Sequence, residues 1–184
     1  HPDVSVAVTG GGSGTGIAAL INGTTDIAQA SREMKPEEIQ QARARGHEVA
    51  EHRVALDALT VVVHPSNPVK RLTIPQLSAI YSGKATHWKE VGGADRKIVV
   101  LSREKNSGTH VFFLEHVVRQ GNAKGPEQFA PEVLMMPSSQ AIADEVASSV
   151  DAIGYFGLGY LDRKRHQPVA VAAKEGGTYV EPTP

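Results

Sequence analysis

The tripeptide Ser-Gly-Thr occurs twice, about ninety residues apart, and both times where a β-rich run gives way to a helix-like one. The first junction is Gly10-Gly11-Gly12-Ser13-Gly14-Thr15-Gly16, followed by Ile17-Ala18-Ala19-Leu20-Ile21. The second is Asn106-Ser107-Gly108-Thr109, after Ser102-Arg103 and before Val111-Phe112-Phe113-Leu114. Each helix start presents bare backbone N–H groups and hydroxyls, the chemistry of an anion site. Two such starts with Arg103 beside them point to a small oxyanion held between two lobes.

Patterning along the rest of the chain agrees with an α/β class. Val4–Val8 alternates and reads as a strand, and Gly14–Asn22 as a helix stopped by Asn22-Gly23. Asp26–Ser31 is expected as a short strand, Pro36–Arg45 as a helix, and Val49–Ala55 and Ala58–Val63 as strands. Pro65-Ser66-Asn67-Pro68 breaks the pattern, after which a second alternating set begins. It comprises a helix at Ile74–Tyr81, a loop at Gly83–Gly93 carrying Trp88, a strand at Lys97–Leu101 and a helix at Gly108–Arg119. Gly121–Pro131 reads as loop with a short helical piece, Ser138–Ser149 as a capped helix, and Ala152–Phe156 and Pro168–Ala173 as strands. Such alternation predicts mainly parallel sheets flanked by helices.

Composition sets the outer limits. Net charge is −1 over 184 residues, so no global field draws the chain to nucleic acid or to an anionic membrane. The longest apolar runs, Ala58–Val63 and Val111–Leu114, fall well short of a membrane span. Without cysteine there is neither disulfide nor thiol chemistry, and an oxidising compartment stays open. The start at His1-Pro2 without Met reads as a processed or trimmed product.

Each candidate site residue has a bland reading beside the chemical one. The glycines of the first loop let backbone approach a ligand, with hydroxyls from Ser13 and Thr15; otherwise they form a turn with Ser13 as helix cap. A P-loop requires Gly-Lys-Ser/Thr, and no lysine lies between Asp3 and Met34. Gly14-Thr15-Gly16-Ile17-Ala18-Ala19 is a weak dinucleotide fingerprint, lacking an acid at the end of a second strand. Arg103 is either a bidentate oxyanion ligand or a surface arginine, and Ser107 either a ligand or a cap. Asp26 is either a local turn residue or an acceptor for a ligand's proton. Phosphate carries such a proton near neutral pH and sulfate does not, so a buried acceptor would discriminate between them. For catalysis little is offered. Thr15 replaces the last glycine of a nucleophile elbow, and the spacings of His47 with His52 and His110 with His116 suit no metal, so these histidines read as surface residues. Trp88 reads as a packing anchor for its loop.

The segments GGGSGTGIAAL (10–20), GTTDIAQASREM (23–34), LTIPQLSAIYSGKATHWKEVGG (72–93), SREKNSGTHVFF (102–113) and AIGYFGLGYL (152–161) resemble the phosphate-binding proteins of bacterial ABC importers. Those proteins have the type II periplasmic binding-protein fold. The resemblance implies that Ser13 is a hydroxyl ligand, Asp26 the proton acceptor and Arg103 the cationic ligand, with Ser107, Gly108 and Thr109 wrapping the oxyanion. Gly14 and Thr15 add N–H or hydroxyl contacts, and Ser31 and Arg32 belong to the same motif.

It further implies two lobes, residues 1–60 plus 156–184 and residues 61–155, hinged at Ala58–Val63 and Ala152–Phe156, with the ligand cleft between them. Relatives begin with a further strand, a Gly-Ser/Thr loop and a helix, and continue past Pro184, so the chain is expected to lack its terminal segments. Lys105 stands where some relatives pair an acid with the arginine. The implied partners are inorganic phosphate and the permease subunits of an ABC transporter. The protein is expected to be a monomeric, periplasmic or externally anchored binder without cofactor or metal, and not an enzyme. Two other readings stand beside it. One is an enzyme that processes phosphoesters or nucleotides in the same cradle; the other is a sensor or structural relative without ligand.

Overall fold

Local signals determine where the helices begin and end. The structure, a computed structural model, describes residues 3–183. Helix α1 (Ser13–Ile21) buries Ile17 and Ile21, four residues apart on one face, against Ala42 of helix α2 (Pro36–Ala44). Asn22 caps α1, and Gly23 takes the left-handed φ of 68° that ends it. Pro36 starts α2, and the Glu38 carboxylate reaches back to the Lys35 N–H at 2.8 Å.

Strands β1 (Leu59–Val63), β3 (Val99–Arg103), β4 (Leu134–Met136), β5 (Ala152–Gly157) and β6 (Gln167–Pro168) form a five-stranded sheet in the order β4-β3-β5-β1-β6. Strands β2 (Arg71–Thr73) and β7 (Ala170–Ala172) pair separately and in parallel. Parallel pairing also joins β3 to β4 and β5, whereas β1 runs antiparallel to β5 and β6. The mainly parallel expectation therefore holds, with β1 as the exception. The two expected hinge strands, β1 and β5, are direct neighbours.

Side chains alternate across this sheet with the strand period of two. Val61, Val63, Ile153 and Tyr155 face one core, with helix α3 (Ile74–Tyr81), Trp88 and Phe113. Val62, Ala152 and Phe156 face the other, with Ile142 and Val146 of helix α5 (Ser139–Ser148). The cap expected at Ser138 is present, its Oγ accepting from the Ala141 N–H at 3.0 Å, and α3 gains a capping box in which the Thr73 N–H is met by Gln76 Oε1 at 2.8 Å. Helix α4 (Gly108–Phe113) continues as a π-helical turn, Leu114–Val118. Trp88 is 2% exposed and donates from Nε1 to the Asp151 carbonyl at 3.1 Å, an anchor as expected.

Three expected strands do not form. Val4–Val8, Asp26–Ser31 and Val49–Ala55 have no ladder partner among the described residues, and Val4, Val6, Val8, Ile27 and Val54 are exposed. An alternating pattern prepares a segment for one face of a sheet, but only hydrogen bonds to a neighbouring strand make it a strand.

The chain falls into two compact units. One holds the residues up to His52 together with the turn Asn106–Gly108, and the other holds Arg53–Lys105 and Thr109–Pro184. These limits differ from those of the expected lobes. Residues 167–172 belong with the second unit because β6 pairs with β1 and β7 with β2.

Candidate functional site

In the first unit, the start of α1 and the Asn106–Gly108 turn come together. Gly12, not Ser13, is the N-cap of α1, and no side chain caps that end. The Ser13 hydroxyl is turned to another task. It lies 3.2 Å from Ser31 Oγ and accepts from the Ser31 N–H at 3.1 Å. Gly14 donates its N–H to the Asn106 carbonyl at 3.0 Å, and Asn106 Nδ2 donates to Thr15 Oγ1 at 3.3 Å.

Two glycines permit this closeness. A Cβ on Gly12 would stand 2.6 Å from the Asn106 carbonyl oxygen. A Cβ on Gly108 would collide with the hydroxyls of Ser13 and Ser31. Ser13, Ser107 and Gly108 are buried, Gly14 is half-buried, and Thr15 and Ser31 are exposed. The result is a cluster of hydroxyls and N–H groups where the start of α1 meets the Asn106–Gly108 turn.

Asp26 and Arg32 stand apart from this cluster. Asp26 is exposed, and among the described residues it makes no hydrogen bond to Ser13, Ser31 or the Asn106–Gly108 turn. Arg32 grips Glu38 with both terminal nitrogens, each at 2.8 Å. That pairing holds the Glu38 carboxyl below its usual range, aided by the Lys35 N–H against the opposing effect of burial.

In the second unit, Arg103 ends β3 with its side chain only 13% exposed. Its Nη1 donates to Ser139 Oγ at 3.2 Å and its Nη2 to the Pro137 carbonyl at 3.3 Å. Glu104 Oε1 lies 3.6 Å from Nη2, so the acid beside the arginine is its immediate successor. Arg103 Nε is buried and has no hydrogen-bond partner among the described residues. A buried guanidinium N–H without a partner costs about 1–3 kcal/mol or more, which a bound anion would offset. Thr109 is half-buried on α4.

His110 is not a surface residue as expected. It is 5% exposed, with Nδ1 3.1 Å from Ser102 Oγ and its ring stacked on Phe129. Ser102 Oγ also lies 2.7 Å from Tyr155 OH. Sequence reasoning missed this trio and the partners of Arg103. The only available signal was the position of Ser102 and His110 on either side of the motif at 103–109.

Known proteins resemble this chain in both sequence and fold. A family profile for the PBP superfamily domain matches residues 1–183. The chain belongs to the PBP superfamily. Within that superfamily it is 32% identical over 194 residues to the phosphate-binding protein PstS of Pseudomonas aeruginosa, covering 98% of this chain and 58% of the relative. It is 33% identical to PstS of Staphylococcus epidermidis, covering all of this chain and 55% of the relative. This PBP superfamily chain thus spans little more than half the length of the curated relatives it matches. Among solved structures, a candidate phosphate ABC transporter substrate-binding protein of Clostridium perfringens, with phosphate bound, superposes with a TM-score of 0.80. It is 36% identical, and the match covers 95% of this chain and 67% of that one. An ABC-type phosphate transport receptor of Vibrio cholerae gives a TM-score of 0.70 at 33% identity, over 93% of this chain and 66% of that one. The family resemblance drawn from the motifs is borne out.

Proposed function

We propose that this chain belongs to an extracytoplasmic solute-binding protein that captures inorganic phosphate and passes it to the permease subunits of an ABC transporter. The observation that carries the reading is the Ser13–Ser31–Gly108 convergence at the start of α1. Its support is the naming of the relatives above for phosphate binding. Ser13, Thr15, Ser31, Ser107, Gly108 and Thr109 supply hydroxyls and N–H groups and Arg103 the positive charge, while Gly14 ties the Asn106–Gly108 turn to α1 through its N–H. Asp26 and Arg32 are assigned to the same site as proton acceptor and second cation, roles that their substitution tests. No bond is broken in this reading. Ligand contacts drive two lobes to close, and the closed form is what the permease recognises.

Calorimetric titration with phosphate, and with sulfate as control, tests the proposal on wild type and on Arg103→Ala. Saturable phosphate binding that sulfate does not mimic is expected. Charge-assisted bonds contribute about 1.5–3 kcal/mol each, so the variant should bind about 100-fold more weakly or not at all. Wild type that ignores phosphate, or Arg103→Ala that binds it normally, refutes the reading.

A further inference from the structure

Ser102 and His110 stand immediately before and after residues 103–109, the stretch that carries Arg103, Ser107, Gly108 and Thr109. One contact, Ser102 Oγ to His110 Nδ1 at 3.1 Å, joins the two ends of that stretch at its base. Ser102 is fully buried, and its hydroxyl has two further neighbours, Tyr155 OH at 2.7 Å and the Arg103 carbonyl at 3.2 Å. Burial raises the Tyr155 phenol above its usual range, so it keeps its proton and shares one hydrogen bond with Ser102 Oγ. The Ser102 hydroxyl thus links Tyr155 to His110 Nδ1 and to the Arg103 carbonyl, at the two ends of the binding stretch.

Packing holds the two rings in place. Tyr155 stacks on Phe113 with centroids 3.7 Å apart and planes 4° from parallel, and His110 stacks on Phe129 at 4.5 Å. Burial also holds the His110 imidazole below its usual range, against a hydrogen bond to the Arg103 backbone that opposes it and with the Lys105 charge adding to it, so the neutral ring is favoured. Ser102 and His110 are no nucleophile and base, because a fully buried hydroxyl already engaged with a tyrosine is closed to substrate.

We propose that Ser102, His110 and Tyr155 form a positioning network for phosphate capture, stapling the base of the 103–109 stretch so that Arg103 and Thr109 are set before the ion arrives. The inference rests on the phosphate-binding reading and deepens it. None of the three touches the ligand. They lower the ordering cost of binding, as preorganisation does in general.

Phosphate titration on the full chain tests this, with Ser102→Ala, Tyr155→Phe, His110→Phe, His110→Asn and the Ser102→Ala/His110→Phe pair. Each variant's thermal unfolding without phosphate is measured alongside. Ser102→Ala, Tyr155→Phe and His110→Phe should each weaken phosphate about 3- to 10-fold while remaining folded. The pair should be no worse than its poorer member, because both break one staple. His110→Asn, whose amide can sit near the Nδ1 position, should recover most of the affinity; a role in packing alone predicts instead that it is the worst of the set. Tyr155→Phe keeps the stack on Phe113, so it reads the hydrogen bond even if another variant fails to fold. Folded variants that bind within about twofold of wild type, or fully additive losses in the pair, overturn the inference alone. Wild type that does not bind phosphate overturns the functional reading with it.

Discussion

Gly12→Ala offers the sharpest test of the α1 site. The new Cβ would stand 2.6 Å from the Asn106 carbonyl oxygen and 3.1 Å from the Ser107 nitrogen, both main-chain atoms without a rotamer to escape into. Restoring ordinary contact requires the turn to retreat by about 0.8 Å. The Gly14 N–H to Asn106 bond, 3.0 Å in wild type, would then stretch beyond hydrogen-bonding range. Overpacking of this kind costs about 1–3 kcal/mol and the lost bond about 0.5–1.5 kcal/mol. If half of that falls on the binding-competent arrangement, phosphate affinity drops about 3- to 40-fold. Gly10→Ala is the control, because nothing lies within 4 Å of its Cβ. Urea unfolding and phosphate calorimetry should show Gly10→Ala unchanged or slightly stabilised and Gly12→Ala weakened in both. Equal behaviour of the two variants would refute the reasoning, since it would mean that the turn does not need to sit against α1.

Other outcomes follow from single contacts. Arg103→Lys keeps the charge but loses the planar fork that reaches Ser139 and Pro137, and titration should show phosphate about tenfold weaker. Asp26→Asn should erode the preference for phosphate over sulfate in calorimetry, because the amide no longer accepts the ligand's proton as a carboxylate does; a preference kept within about threefold would remove Asp26 from the site. Burial depresses the His110 pKa, so the unfolded chain takes up this proton first, near about 6.5. Stability should therefore fall as pH drops below that value and level off once the folded imidazole also titrates. Urea unfolding at about pH 7.5 and about pH 5.5 should show a larger loss for wild type than for His110→Asn.

Much of the fold was legible because helices carry their instructions locally. Asn22-Gly23, Pro36 and Ser138 marked the helix ends, since a helix bonds within itself from i to i−4 and its caps lie next in sequence. The two Ser-Gly-Thr turns were likewise visible as candidate anion-binding turns, since bare N–H groups and hydroxyls at helix starts are properties of a few adjacent residues. Tertiary structure decided the rest. Whether Val4–Val8 becomes a strand depends on a partner that its own pattern does not name. Ser13 serves Ser31 rather than its own helix because the chain returns eighteen residues later to the same point. Burial of His110, and its union with Ser102 and with Tyr155, fifty-three residues beyond that serine, arises where two strands and a helix meet. Hydrogen bonds between side chains distant in sequence exist only once folding has brought them together, and burial then strengthens them, so they belong to the folded chain and not to its pattern.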